Sequence, residues 1–142
     1  MFKKVLLVAN SGWYIFNFRI TLLRNLKDAG YDVNICAPDD LFCDRLKEEG
    51  FKIYHWRLNK RSLNPINEII SLIHLIKIYS SAKPELVHHF TIKACIYGTI
   101  AAKLANVFLV INSVTGLGTL FISKRKRIRI LRFFLRPIYS AI

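Results

Sequence analysis

The sequence contains no Cys-x-x-Cys pair, no Gly-x-Gly-x-x-Gly turn, no phosphate-binding P-loop and no uncharged apolar run of membrane-spanning length, and each gap excludes a class of protein. Cys36, Cys43 and Cys95 form an odd, scattered set. They fit neither a disulfide framework nor a closed zinc site, and a reducing, cytoplasmic setting is expected. Lys77 interrupts the apolar stretch 66–79 and Lys103 the stretch 96–114, so no segment reaches the roughly 18 apolar residues that a spanning helix requires. The apolar run 5–9 behind Lys3 and Lys4 imitates a signal peptide, but it stops at the polar Asn10, Ser11 and Gly12. It reads instead as a first buried strand.

Catalytic motifs are equally scarce. Ser11 lies in no Gly-x-Ser-x-Gly elbow, and Asp39 with Asp40 is the one carboxylate pair at a strand end, where helix capping explains one member. Neither a nucleophilic hydrolase nor a two-carboxylate one has its parts. No metal and no cofactor is expected.

Acidic residues are few as well. Nine Asp and Glu stand against 22 Lys and Arg, a net charge of +13, and that excess implies an anionic partner or surface. Seven of the basic residues fall within 124–142, where no acid occurs, which leaves +6 for the preceding 123 residues.

What the chain does have is enough apolar material for a core: 53% of its 142 residues are hydrophobic. A single domain of this length buries about 70% of its unfolded surface, so neither disulfide nor metal is needed. Residues 5–9 read as a strand buried on both faces. Ile15, Phe18, Leu22, Leu26 and Ala29 follow at helical spacing, stopped by Gly30. Val33, Ile35 and Ala37 make a second strand ended by Pro38, and Asp39 or Asp40 caps a short helix closed by Gly50. A third strand covers 52–56. Pro65 then opens a long helix whose expected buried stripe is Ile66, Ile69, Ile70, Ile73 and Ile76 and which ends before Pro84. A strand at 86–90, a helix at 92–105 stopped by Asn106, and a strand at 108–114 complete a strict alternation. Such alternation predicts an α/β fold, a Rossmann-like parallel sheet with helices on both faces. Residues 124–142 read as one more helix, so 1–123 is expected as the domain and 124–142 as the start of what would follow.

Ligands of a doubly wound sheet bind beyond the carboxyl ends of its strands, where strand order reverses. Three loops qualify. After strand one, Asn10, Ser11, Gly12, Asn17 and Arg19 stand near a helix N-terminus, where free amides and a cation favour an anion. The plainer alternative is an ordinary Ser11 cap and a solvated Arg19. After strand four come His88, His89, Thr91 and Lys93. Neighbouring strand residues point to opposite faces, so at most one His faces the crevice while the other packs under a helix. After strand five, Thr115-Gly116-Leu117-Gly118 lets a ligand approach the backbone, or is a plain tight turn.

Taken together, Asn17-Phe18-Arg19, Ala37-Pro38-Asp39, His88-His89-Phe90-Thr91-Ile92-Lys93 with Tyr97-Gly98, and Asn112-Ser113-Val114-Thr115-Gly116-Leu117-Gly118 resemble family 4 glycosyltransferases in order and spacing over residues 3–123. The nearest subgroup is similar to bacterial enzymes that extend lipid-diphosphate-linked sugars for surface polysaccharides or glycoproteins. The resemblance implies the incomplete N-terminal half of a GT-B fold, retaining transfer and no required metal. It implies an acceptor side lined by Asn10, Ser11, Gly12, Arg19, His89, Thr91, Lys93, Thr115, Gly116 and Gly118, with Arg19 and Lys93 meeting the diphosphate. The donor nucleotide sugar would be held only by a C-terminal domain, so this chain alone is expected to show no transfer. Many family members carry His at the positions of Phe90 and Thr115, and the sequence departs from the pattern there.

Within 124–142, Ile128, Leu131, Phe134, Leu135 and Ile138 fall at near-helical spacing among arginines. Such a helix would lie on anionic lipid through Arg125, Arg127, Arg129 and Arg132, making the protein peripheral on the inner face of the membrane, or would pack its apolar side on the sheet. Two other readings compete: a non-catalytic acceptor-binding or membrane-binding subunit of a split transferase, and a nucleic-acid-binding protein. The second lacks any helix-turn-helix, finger or aromatic RNA-binding pattern, and no nucleic-acid partner is expected.

Overall fold

The computed structural model describes residues 3–59 and 64–115. Five strands, β1 (Lys4–Val8), β2 (Asp32–Ala37), β3 (Lys52–His55), β4 (Leu86–Phe90) and β5 (Leu109–Ser113), alternate with four helices, α1 (Gly12–Asp28), α2 (Leu41–Glu48), α3 (Pro65–Ala82) and α4 (Ile92–Leu104). The strands form one parallel sheet in the order β3-β2-β1-β4-β5. The alternation read from the sequence is therefore the architecture, with element ends shifted by a residue or so.

Side-chain alternation along the strands splits the core in two. Val5, Leu7, Ile35, Ala37 and Phe90 pack under α1 and α2, with Ile15, Leu23 and Leu46. Leu6, Val8, Cys36 and Val87 pack under α3 and α4, with Leu75, Ile78, Tyr79, Ala94, Ala101 and Ala102. All three cysteines are free thiols inside the structure. Burial raises each of them, Cys95 to about 12, so they act as small core residues.

Helix ends follow local rules. Gly30 and Gly50 adopt φ of 88° and 83°, and each closes its helix with a double hydrogen bond, Tyr31 to Leu26 and Gly30 to Lys27, then Phe51 to Leu46 and Gly50 to Lys47. Asn106 ends α4 in the same way at φ 53°.

Two expectations fail. Phe18 is 57% exposed, and Leu23 takes the buried place on α1. More consequentially, Ile66, Ile69, Ile70 and Ile73 face outward, at 48–66% exposure, and Ile76 is only partly covered. The core side of α3 is instead Ser71, Leu75, Ile78, Tyr79 and Ala82. The helix carries apolar stripes on two opposite sides, and periodicity cannot say which is buried. Small side chains at Ser71 and Ala82 let one side approach the sheet closely; Trp56 Nε1 donates to the Ser71 carbonyl at 3.0 Å and fixes that choice.

Among the described residues no helix is long and apolar enough to cross a membrane.

Candidate functional site

β1, β4 and β5 are parallel neighbours, so their carboxyl ends and the turns that leave them lie along one edge. Strand order reverses between β1, which leads to β2 on one side, and β4 on the other. This is the crevice position of a doubly wound sheet.

The turn after β1 is self-contained. Ser11 caps α1 by accepting from Tyr14 N at 3.2 Å, and Asp40 Oδ2 accepts from Trp13 N at 3.1 Å. Asp40 Oδ1 also accepts from Phe42 N at 3.0 Å, capping α2. One carboxylate thus serves two helix N-termini, and Gly12 is required there because a Cβ would lie 2.9 Å from Cys43 Sγ and closer still to Asp40. Ser11 and Gly12 are buried and Asn10 is partly covered. The idea that free α1 amides await an anion therefore needs correction: a protein carboxylate already occupies that end of the dipole.

Arg19 lies two turns into α1, further from its start than expected, and reaches over β4. Its guanidinium is 4.7 Å from the Phe90 ring and donates to Tyr14 Oη at 2.8 Å, while its Nε is buried without a hydrogen-bond partner. His88, on the same face as Phe90, bonds Ser113 Oγ at 2.7 Å. Desolvation and then the Arg19 charge lower His88 to about 4, so its ring is neutral at pH 7. A neutral imidazole, a hydroxyl and a cation meet here.

His89 points the other way and is 0% exposed. Its Nδ1 lies 2.7 Å from Asn112 Oδ1, an acceptor, so Nδ1 carries the proton and Tyr79 Oη donates to Nε2 at 2.8 Å. Asn112 Nδ2 donates to Thr99 Oγ1 at 3.0 Å, and Thr99 donates to the Cys95 carbonyl at 2.7 Å. The network ties α3, α4, β4 and β5 together with every member satisfied. Burial is the main cause that lowers His89 to about 4. The expectation that His89 lines an acceptor surface is thus corrected: it positions β4 and α4 from beneath.

The turn after β4 is the unusual one. Thr91 sits at φ 74°, ψ 153°, a region almost reserved for glycine. Its hydroxyl is buried, unpartnered and does not cap α4. The other three helices all begin with a side-chain cap, from Ser11, Asp40 and Asn64. Lys93, expected to meet a diphosphate, is committed elsewhere: its Nζ is 2.9 Å from Glu68 Oε1 and 3.1 Å from the Asn59 carbonyl. Tyr97 Oη bonds the other Glu68 oxygen, and the α3 and α4 starts are clamped together.

Thr115 stands two residues past the end of β5 and is partly covered. Gly116 and Gly118 lie outside the described residues, as do Arg125, Arg127, Arg129 and Arg132. Sequence reasoning missed Tyr79, Tyr14, Glu68 and the double role of Asp40. Only Asp40 left a signal, its place before an apolar-periodic run. Among the described residues, Asp39, Cys43 and His55 bring potential metal ligands within 4.8 Å of one another. Three donors fall short of a closed tetrahedral site, two are exposed, and burial opposes the Cys43 thiolate.

Comparison with known proteins bears on this geometry. The Glycosyl transferase 4-like family model matches residues 4–141. An N,N'-diacetylbacillosaminyl-diphospho-undecaprenol alpha-1,3-N-acetylgalactosaminyltransferase of Campylobacter jejuni is 25% identical over 133 residues, which cover 94% of this chain and 35% of that enzyme. The chain thus spans about a third of the relative's length. MurG of Acinetobacter baumannii superposes with a TM-score of 0.61 at 18% identity, over 78% of this chain and 34% of that one. A glycosyltransferase from Rickettsia africae gives 0.62 at 18% identity, over 78% and 29%.

Proposed function

We propose, from the premise that the chain belongs to the glycosyl transferase 4-like family, that it forms the acceptor side of a retaining transferase that passes a sugar from a nucleotide sugar to a lipid-diphosphate-linked glycan. The similar Campylobacter enzyme is named for a diphospho-undecaprenol-linked acceptor and supplies the substrate class. The observation that carries the reading is the turn after β4: a strained Thr91 with an unpartnered hydroxyl, opening a helix that no side chain caps, at the strand-order switch. Phosphate oxygens bind well at such a helix start. Arg19 supplies the cation across Phe90, which immediately precedes Thr91. Thr115, Gly116 and Gly118 would bring backbone from the next turn, and Lys93 would hold the α4 start rather than the ligand.

No catalytic residue is assigned. Among the described residues, His88 brings a neutral base to the crevice, held in place by Ser113. We further propose that the nucleotide sugar is held by residues beyond this 142-residue stretch, that the stretch alone binds acceptor without turnover, and that it works peripherally at the cytoplasmic membrane face.

Titration calorimetry with a short-chain polyprenyl-diphosphate-linked sugar, against the matching monophosphate and a nucleotide sugar, tests this. Binding of the first alone is expected, weakened about tenfold or more by Arg19→Ala and less by Arg19→Lys. Preference for the nucleotide sugar, or robust sugar transfer by the isolated chain, would refute the assignment.

A further inference from the structure

We propose that the outward isoleucine face of α3 is the surface by which this domain rests on an anionic bilayer. Ile66, Ile69, Ile70 and Ile73 are 66%, 59%, 48% and 48% exposed and recur at i, i+3, i+4 and i+7. They make a single apolar stripe about 10 Å long. Isolated exposed apolar residues need no explanation, but four isoleucines in register on one helix do. This stripe lies opposite the core side of the same helix, so neither repacking nor a small rotation would bury it without exposing Leu75 and Tyr79.

The charges around the stripe choose the occupant. Arg57, His74 and Lys77 line one shallow groove with Ile70 and Ile73, and Asn59 and Asn67 continue it along Ile70. Glu68 is the only acid on α3, and Lys93 and Tyr97 already engage it. Seven of the nine acids fall within residues 28–49. Of these, Asp28, Asp44, Glu48 and Glu49 lie in α1 and α2 or at their ends, and those helices cover the sheet face opposite α3. An apolar stripe edged along Ile70 and Ile73 by the cations Arg57 and Lys77, with its one helix acid already paired, fits lipid headgroups and the first acyl carbons. It fits a protein partner of ordinary charge less well.

Placement links this face to the crevice. The first turns of α3 stand at the carboxyl end of the sheet, and the Glu68–Lys93 pair fastens them to the α4 start beside Thr91. A bilayer against the stripe would present a membrane-bound diphosphate at the height of that turn. The proposal deepens the acceptor reading but can fail separately, because bare vesicles contain neither sugar nor diphosphate linkage.

The test is co-sedimentation of the full chain with phosphatidylcholine vesicles, with and without roughly one-third phosphatidylglycerol. Ile69→Ser with Ile73→Ser is made in the parent chain and in an Arg125→Gln, Arg127→Gln, Arg129→Gln background, so that the basic segment cannot mask the result. The isoleucine pair should cost about tenfold or more in partitioning to anionic vesicles in both backgrounds. Leu41→Ser, an 87% exposed control on α2, should cost nothing. Arg57→Gln with Lys77→Gln should remove the preference for the anionic lipid. Circular dichroism verifies folding of each variant. Unchanged partitioning of the isoleucine pair overturns the proposal, as does a change of that pair from dimer to monomer without effect on vesicles, which would make the face a self-association surface. If vesicle binding fails while diphosphate binding persists, this inference falls alone.

Discussion

Gly98 in α4 lies flat against the imidazole of His89 in β4, and a methyl group at Gly98 would overlap the ring at Nε2, the atom that accepts from Tyr79. The absence of a side chain at one position thus allows a buried histidine at another, and the Tyr79 ring lies parallel to the imidazole at 4° with centroids 6.2 Å apart, joined to it through the hydroxyl.

Gly98→Ala sets two effects against each other. Alanine in a helix interior gains about 1 kcal/mol over glycine, whereas forced overpacking costs about 1–3 kcal/mol and here also breaks a buried hydrogen bond. The clash should win, with a net loss of about 2 kcal/mol in urea unfolding. A Gly98→Ala chain as stable as the parent would show that the ring can move aside.

Acid should destabilise the domain through its two desolvated imidazoles as pH falls below 6.5. His88 and His89 sit near pKa 4 in the folded chain against 6.5 when free. Between those values the unfolded chain binds protons that the folded chain refuses, so stability is full above pH 6.5 and declines as pH falls toward 4. The loss should reach the order of 2–3 kcal/mol, mostly from enclosed His89, since His88 is partly solvated. Urea midpoints from pH 7.5 to 4.5 give the slope; a flat profile contradicts the buried neutral assignment.

Asp40 holds two helices by one carboxylate. Asp40→Ala should cost about 2 kcal/mol, twice an ordinary cap, because Trp13 and Phe42 both lose their acceptor. Asp40→Asn retains one oxygen and should lose roughly half as much. Equal losses for the two variants would mean that only one cap matters.

Thr91 offers a trade between stability and binding. Its φ of 74° suits glycine, so Thr91→Gly should stabilise the fold by about 1 kcal/mol while weakening a diphosphate ligand, if the hydroxyl is used. A thermal shift read beside calorimetry on the same sample separates the two. A destabilised Thr91→Gly chain would show that the hydroxyl supports the fold.

The alternation of elements was legible from residues alone because buried parallel strands must be apolar runs, and because Gly30, Gly50 and Asn106 mark helix ends by local backbone preference. So was the split of the His pair to opposite faces, which the two-residue period of a strand requires. Which histidine goes where was not legible. That depends on Tyr79 and Asn112 arriving from α3 and β5 to satisfy both nitrogens of His89, 10 and 23 residues away in sequence.

Local chemistry therefore determined the order of strands and helices, the three turns at one sheet end and the family to which they belong. Tertiary structure alone decided that Asp40 fills the α1 terminus, that Glu68 claims Lys93, and that α3 turns its isoleucines outward. The physical reason is common to all three. Each is a competition between partners distant in the chain for one charge or one face, and periodicity records that a helix is apolar without recording what the fold leaves room to cover.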